Sequence, residues 1–386
     1  MKVWASIVIV FISIPLAAFA QRPDAPPYAI RGLFPVGARD FTIEDDIRPL
    51  KLTVWYPALN PDEQAEAIIY VERLARVEGR ALQDALPDVD NGPYPLVIFS
   101  HGLGGLRFQS IFFTEHLASH GFVVIAPDHP GSTVFDVMLG EGSEETIIEN
   151  FAVRPYDISR AIDFAGTLSS PGGVLEGVIE TDKIAVSGHS FGGYTALSVG
   201  GARLNTSETV CEGNLELCQL MERAEDIASA RGLERVPEGL WPPTTDSRVD
   251  ALVLLAPAGG HLFQEAGLAE VTLPTLIIVG SLDSATVPEE DAYPMYEYIG
   301  STDKTLITLE YADHYIFVDE CSELEISFGL FDSCSDDVWD MTRAHDLTNH
   351  FTTAFLLSVL KEDQEAARNL LPGAVDFRGV IYATTR

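Results

Sequence analysis

The sequence is poor in positive charge, in cysteine and, after its first twenty residues, in long apolar runs. It contains 24 Lys and Arg against 58 Asp and Glu, a formal net charge of −34. This balance argues against nucleic acid and against anionic membrane surfaces as partners. The four cysteines lack the C-x-x-C and Cys/His spacings of metal sites, so we expect no metal. No later stretch is long and apolar enough to span a bilayer, so we expect no stable membrane insertion.

Residues 1–20 differ in character from the rest of the chain. A lysine at position 2 precedes an apolar run that ends in Ala-Phe-Ala at positions 18–20. A short positive start, an apolar centre and an A-x-A site predict a cleaved secretory signal peptide. The alternative is an uncleaved membrane anchor, for which the run is short. We therefore expect a secreted or periplasmic protein. We also expect a monomer.

The cysteines form two pairs that are close in sequence. An exported protein meets an oxidising environment, in which such pairs form disulfides. Proximity predicts the bonds Cys211–Cys218 and Cys321–Cys334, each closing a short loop. The sequence alone permits three pairings.

Short apolar runs alternate with stretches of helical spacing through most of the chain. This alternation predicts a mainly parallel sheet with helices on both faces. Residues 203–247 lack periodicity and predict a lid-like insertion, and residues from about 320 to 386 form a C-terminal extension of a single domain that covers 21–386. Strands are predicted at 28–36, 49–57, 95–100, 122–126, 184–186, 249–255, 274–280 and 304–311, and helices at 60–90, 108–120, 155–168 and 346–360, with an irregular acidic stretch up to about 152.

The stretch Gly188-His189-Ser190-Phe191-Gly192 lies between a predicted buried strand and a predicted helix. This strand, sharp turn and helix are the setting of a nucleophile elbow, in which the serine sits at the tip of a strained turn. The pattern is short, so its value depends on whether the chain supplies a base, an acid and a second oxyanion donor.

Those partners follow other predicted strands. A serine hydroxyl needs a base within hydrogen-bond reach, and the base needs a group that fixes its tautomer. Ser190, Asp283 and His314 come in the chain order of an α/β-hydrolase triad, each just after a strand. In parallel sheets ligands bind beyond the carboxyl ends of the strands, so the three are expected at one edge. The alternatives are Asp313 for the acid, and His101, His129 and His261 for the base.

The oxyanion hole is predicted from two backbone amides. Phe191 N–H follows the serine, and Leu103 N–H lies in a glycine-rich loop after an early strand. Gly102 and Gly104 allow the backbone of that loop to approach a substrate closely. His129 follows the next strand and is expected to line the pocket.

Three segments, 99–107, 117–122 and 183–193, resemble platelet-activating-factor acetylhydrolases. The loop at 126–131 and the turn at 282–288 resemble bacterial dienelactone-hydrolase-like proteins, and that turn is also similar to cutinases and polyester hydrolases. The resemblance covers about half of the mature chain. It implies an α/β-hydrolase fold, with Ser190 as nucleophile, His314 as base, and Leu103 and Phe191 at the oxyanion hole.

The acid departs from the acetylhydrolase pattern. In that family it follows the strand after the elbow helix, where this chain has Leu255-Ala-Pro-Ala-Gly259 and no carboxylate. Asp283, one strand later, matches the polyester-hydrolase position. Dienelactone hydrolase proper uses a cysteine nucleophile, so Ser190 does not imply that activity.

These observations predict an exported serine carboxylic ester hydrolase that works through an acyl-enzyme and needs no metal or organic cofactor. The expected substrates are short-acyl esters or acetylated or oxidised phospholipids. The alternative is a polyester or cutinase-like hydrolase. A non-catalytic binding protein is a remote alternative, because all three triad residues are present. Acyl length depends on loops whose periodicity is poor.

Overall fold

The computed structural model describes residues 25–139, 143–206, 222–327 and 329–386. The predicted signal peptide and the predicted Cys211–Cys218 bond lie outside the described residues. The described residues include no helix that is long and apolar enough to cross a membrane. The Cys321–Cys334 disulfide is confirmed, with the two Cα atoms 4.9 Å apart.

A ten-stranded sheet organises the described residues, and its strands run in the order β12-β11-β10-β9-β8-β6-β7-β2-β1-β5. The six central strands, from β11 to β7, are parallel, whereas β2 and β12 pair antiparallel with their inner neighbours. A separate antiparallel hairpin consists of β3 and β4. The strands are β1 (Val36–Ile43), β2 (Leu50–Pro57), β3 (Ile68–Glu72), β4 (Ala75–Gly79), β5 (Leu82–Gln83), β6 (Tyr94–Ser100), β7 (Val123–Pro127), β8 (Ile179–His189), β9 (Val249–Leu255), β10 (Thr275–Gly280), β11 (Lys304–Leu309) and β12 (Val380–Thr384).

Helices cover both faces of the sheet. Successive side chains of β6 alternate between two cores, with Leu96 and Ile98 in one and Val97 and Phe99 in the other. The first core includes α3, α4, α6 and α7, and the second includes α1 and α9. The helices are α1 (Ile111–Ser119), α2 (Val134–Leu139), α3 (Glu144–Ser169), α4 (Phe191–Val199), α5 (Ala224–Ala230), α6 (Gly260–Leu268), α7 (Ala292–Tyr298), α8 (Glu323–Ser327), α9 (Met341–Leu360) and α10 (Gln364–Arg368), with 3₁₀ turns at Pro27–Ala29, His314–Phe317 and Phe331–Ser333.

The helical prediction for residues 60–90 is wrong. This segment forms β3, β4 and β5 instead. Tyr70, on β3, accepts a hydrogen bond from Trp55 Nε1 and donates one to Glu115 Oε1, each at 2.7 Å. These bonds fasten the hairpin to the sheet and to α1, so tertiary contacts decide the conformation of this segment.

Several predicted boundaries also need correction. The acidic stretch before 152 is not irregular, because α3 begins at Glu144, where the Ser143 hydroxyl accepts from the N–H of Thr146 at 3.3 Å. Pro155 therefore lies inside the helix and does not begin it. The strand predicted at 28–36 starts only at Val36, and the strand predicted as the last is followed by β12. The predicted strand at 249–255 is confirmed.

Candidate active site

The predicted catalytic residues all follow the carboxyl ends of parallel strands. The Gly102 loop follows β6, Ser190 follows β8, Asp283 follows β10 and His314 follows β11. Because these strands run in the same direction, the four segments lie at the same edge of the sheet.

Ser190 occupies a strained turn between β8 and α4. Its backbone angles are φ 57° and ψ −119°, a conformation that residues with a side chain rarely adopt. A Cβ on Gly188 would lie 2.1 Å from the Gly192 carbonyl oxygen, and a Cβ on Gly192 would lie 1.9 Å from the Ser100 carbonyl oxygen. Both atoms belong to backbone, so only glycine fits at either position. The turn therefore has the geometry of a nucleophile elbow.

Asp283 and His314 form a buried pair. Their shortest contact joins His314 Nδ1 to Asp283 Oδ2 at 2.8 Å. Asp283 Oδ1 accepts from the backbone N–H groups of Ala285 and Thr286 at 3.0 and 2.7 Å, and the Thr286 hydroxyl donates to Oδ2 at 2.9 Å. Three donors besides the imidazole thus fix the position of the carboxylate. A carboxylate acceptor keeps the proton on Nδ1 and leaves a lone pair on Nε2.

The rival acid and one rival base lie elsewhere. Asp313 Oδ1 accepts from the N–H groups of Ser284 and His314, at 2.9 and 2.8 Å, and so orders the turn and not the imidazole. His261 lies on α6, where its Nδ1 is 3.6 Å from Asp291 Oδ1.

Ser190 is partly exposed, and its hydroxyl forms no hydrogen bond among the described residues.

The backbone N–H groups of Leu103 and Phe191 have no acceptor within the described part of the chain. The loop that carries Leu103 is held on both sides, since Gly102 N–H donates to Gln109 Oε1 at 3.0 Å and Gly104 N–H donates to the Ser132 carbonyl at 2.9 Å. Gly104 has φ +73°, which favours glycine.

His101 and His129 are fully buried beneath this loop. His101 Nε2 accepts from the backbone N–H of His129 at 3.0 Å, so His101 Nδ1 carries the proton and donates to the Gly102 carbonyl at 2.6 Å. His129 Nδ1 donates to Asp157 Oδ2 and its Nε2 accepts from the Ser100 hydroxyl, each at 2.9 Å. Burial lowers the pKa of His129 to about 3. Both ring nitrogens of both histidines are used inside the protein, so neither presents a ring nitrogen to substrate in this structure.

Arg154 adds a buried cation to the same region. Its Nη2 donates to the His101 carbonyl and, at 3.3 Å, to the Ser100 hydroxyl, and its guanidinium lies 4.5 Å from the centre of the Phe191 ring. Burial lowers the pKa of Arg154 to about 9. Burial also tends to raise the pKa of Asp157, but hydrogen bonds from His129 and from Arg48 outweigh it and hold that pKa at about 2.

The segment after His314 is tied to the start of α1. Asp319 accepts from the N–H groups of Ile111 and Phe112, at 2.8 and 2.9 Å, which lie at the positive end of the helix dipole. The Ser110 hydroxyl donates to the Phe317 carbonyl at 2.8 Å. These bonds join the segment after His314 to the start of α1.

Sequence reasoning missed Thr286, Gln109 and Arg154. Arg154 carries a recognisable signal, because it lies four residues before Ile158 on the apolar face of α3 and a charge at a core-facing position needs an explanation. Gln109 and Thr286 carry none. No cluster of His, Cys, Asp and Glu within the described ranges could hold a metal ion.

Comparisons with known proteins agree with this geometry. Residues 96–324 match the model of the alpha/beta hydrolase family. Platelet-activating factor acetylhydrolase of Canis lupus familiaris is 32% identical over 138 residues, which cover 27% of this chain and 31% of that protein. Cutinase est1 of Thermobifida alba is 25% identical over 227 residues, which cover 58% of this chain and 55% of that protein. The chain thus spans about a third of the acetylhydrolase and about half of the cutinase.

A solved structure extends the likeness of fold to most of the chain. The ferulic acid esterase from Streptomyces cinnamoneus superposes with a TM-score of 0.59 at 22% identity and covers 90% of this chain and 96% of its own. The α/β-hydrolase fold and the resemblance to acetylhydrolases and cutinases that the motifs predict are therefore confirmed.

Proposed function

This chain belongs to the alpha/beta hydrolase family, and we propose that it is a serine carboxylic ester hydrolase with Ser190, His314 and Asp283 as its triad. The observation that carries the proposal is the buried Asp283–His314 pair, at 2.8 Å, on the sheet edge that also holds the strained Ser190 turn. Such a pair turns an imidazole into a base for a serine hydroxyl.

The reaction follows from these positions. Ser190 Oγ attacks the ester carbonyl carbon while His314 Nε2 takes the hydroxyl proton, and the carbonyl oxygen becomes an oxyanion. The free N–H groups of Leu103 and Phe191 donate to that oxyanion. The tetrahedral species collapses to an acyl-enzyme as the alcohol leaves with the proton from His314. Water then repeats the sequence, with His314 again as base, and releases the acid and Ser190.

Asp283 stabilises the imidazolium that forms in each half of the reaction. It accepts from Nδ1 throughout, and the two backbone amides and the Thr286 hydroxyl that donate to its carboxylate keep it in place. Losing one oxyanion donor typically costs about 3 kcal/mol of transition-state stabilisation. The two amides together therefore account for a large part of the expected acceleration of ester hydrolysis.

We propose short-acyl esters, including acetylated or oxidised phospholipids, as substrates, from the likeness to platelet-activating factor acetylhydrolases. A second candidate is a polyester or cutin-like substrate. It is favoured by the match to cutinases, which covers 58% of the chain against 27% for the acetylhydrolase, and by the position of Asp283 after the second strand beyond the elbow helix.

We also propose that the protein is exported and that residues 21–386 act as one catalytic domain. The apolar start of the sequence and the Cys321–Cys334 disulfide support export, since disulfides persist in oxidising compartments.

The test compares wild type, Ser190→Ala and Ser187→Ala on p-nitrophenyl acetate and butyrate. Ser187 is a matched control, because it is a fully buried serine on β8, the strand that leads into Ser190. Loss of turnover in Ser190→Ala with near-normal turnover in Ser187→Ala supports the proposal, and equal turnover in all three contradicts it. An acyl-length series, a short-acyl phospholipid and a polyester film then separate the two substrate classes.

A further inference from the structure

Two side chains outside the triad join the three segments that carry the proposed chemistry. Gln109 precedes α1 and is partly buried, and His189 is the fully buried residue before Ser190. Gln109 Oε1 accepts from the Gly102 N–H at 3.0 Å, and Gln109 Nε2 lies 3.1 Å from His189 Nδ1. His189 Nε2 lies 3.2 Å from the carbonyl oxygen of His314. The loop that carries Leu103 (the oxyanion loop, 101–105), the elbow at Ser190 and the turn that carries His314 (the base segment) are thus linked in one chain of hydrogen bonds. We call this chain the bridge.

The direction of each bond in this bridge follows from the one before it. A backbone N–H can only donate, so the Gln109 oxygen must face Gly102 and its NH₂ group must face His189. His189 Nδ1 then accepts, which puts the single proton of the neutral ring on Nε2. That proton is donated to the His314 carbonyl, which has no other role than acceptor. The bridge therefore works only with an amide at 109 and a neutral imidazole at 189.

The bridge is also tightly packed against the glycine loop. A Cβ on Gly102 would lie 3.2 Å from His189 Nδ1 and 3.4 Å from Ser190 Cβ. A Cβ on Gly105 would lie 2.3 Å from Gln109 Oε1. A side chain at position 102 would therefore be in close contact with the elbow. The His189 and His314 rings lie 4.6 Å apart, centre to centre.

We infer that Gln109 and His189 are positioning residues, which hold the Leu103 amide, Ser190 and His314 at the mutual distances that ester hydrolysis needs. This inference rests on the proposed function. Neither side chain forms a hydrogen bond with a side chain of the proposed triad among the described residues. Their effect is to couple the oxyanion loop to the base, so that the two cannot drift apart as charge develops on the carbonyl oxygen. A misplacement of about 1 Å at this stage costs about a hundredfold in rate.

The test uses two variants of Gln109 and one control. Gln109→Met has similar length and removes both hydrogen bonds. Gln109→Glu keeps the acceptor for Gly102 N–H, but an ionised carboxylate cannot donate to His189 Nδ1. Gln83→Met is the control, since Gln83 is an exposed glutamine at the sheet edge. Active sites are counted by phosphonate titration, so that kcat refers to folded enzyme alone, and the inhibition constant of an alkylboronic acid reports on the tetrahedral state.

We expect kcat per titrated site to fall between about tenfold and a hundredfold in Gln109→Met, with KM near that of wild type. The boronic acid should bind more weakly in the same proportion, because its tetrahedral oxygen needs the aligned amides. Gln109→Glu should lie between Gln109→Met and wild type, and Gln83→Met should match wild type. His189→Asn should reproduce the Gln109→Met loss if the bridge acts as a unit.

A merely structural role gives a different pattern. It lowers the number of titrated sites and leaves kcat per site and boronate affinity unchanged, and that pattern overturns the inference. So does a Gln109→Met kcat close to that of wild type. If Gln109→Met does not fold, Gln109→Glu and His189→Asn decide by the same criteria. If Ser190→Ala retains full turnover, the proposed function fails; if only the Gln109 and His189 variants retain it, the inference alone fails.

Discussion

Asp283→Asn is the substitution whose effect the structure defines most sharply. Asp283 Oδ1 accepts from two backbone N–H groups, at 3.0 and 2.7 Å, and neither donor can turn away. The oxygen of an asparagine must therefore occupy the Oδ1 position. Its NH₂ group then replaces Oδ2, 2.8 Å from His314 Nδ1.

An amide NH₂ at that position reverses the imidazole tautomer. His314 Nδ1 must accept, so the ring proton moves to Nε2, and no lone pair remains to take the Ser190 proton. In a serine hydrolase this change costs about 10⁴-fold in kcat, or about 5.5 kcal/mol of transition-state stabilisation. The packing is unchanged because the two side chains have the same shape, so we expect the free energy of unfolding to fall by only about 1 kcal/mol.

The assay is p-nitrophenyl butyrate hydrolysis per titrated site, followed from neutral to alkaline pH. Asp313→Asn is the matched control, since Asp313 adjoins His314 and accepts from its backbone N–H at 2.8 Å and not from its ring. We expect that control to keep most of its activity. A loss of less than about tenfold in Asp283→Asn, or a larger loss in Asp313→Asn, would refute the assignment of Asp283 as the acid.

Three further predictions concern stability. Gly192→Ala should abolish accumulation of active protein, because its Cβ would lie 1.9 Å from a carbonyl oxygen, whereas Gly104→Ala, with open space around the Cβ, should cost only about 1 kcal/mol of backbone strain in urea unfolding. Replacing Cys321 and Cys334 together by serine should lower the free energy of unfolding by about 3 kcal/mol, because the bond closes a short loop; an unchanged urea midpoint would contradict this. His129 has a pKa of about 3 in the folded protein, and an unfolded histidine has one of about 6.5. The stabilisation that the neutral ring gives is therefore fully present above pH 6.5 and is lost as the pH falls towards 3. At pH 5 this loss lowers the free energy of unfolding by about 2 kcal/mol. The free energy of unfolding of His129→Gln should therefore fall less steeply with pH over this range, with about one proton fewer taken up on unfolding. A slope equal to that of wild type would be inconsistent with a neutral buried ring.

The sequence predicts the central sheet well because its strands are buried on both faces. Runs such as 249–255 are apolar throughout, and burial of this kind depends little on the neighbouring segments. The hairpin of β3 and β4 is different. It alternates partly buried and exposed side chains and gains its conformation from Tyr70, whose partners come from β2 and α1. A local pattern cannot contain that information.

The candidate site likewise contains residues that could be predicted from the sequence and residues that could not. Ser190, Asp283 and His314 could be predicted because chain order and strand ends place them at one edge of a parallel sheet. The residues that support them could not be predicted from such rules. Gln109 and His189 are 80 positions apart, and His189 and His314 are 125 apart. Whether two such side chains meet depends on how loops pack, which no spacing rule describes.

The order in which catalytic competence appears during refolding follows from the contact between the start of α1 and the turn after His314. The bonds from Ser110 to Phe317 and from Ile111 to Asp319 join positions 207 and 208 residues apart. Closing so long a loop has a high entropic cost and follows the formation of local structure. When denaturant is diluted, ester hydrolysis should therefore return after helical ellipticity. Turnover, more than secondary structure, then reports how much of a preparation has completed its fold.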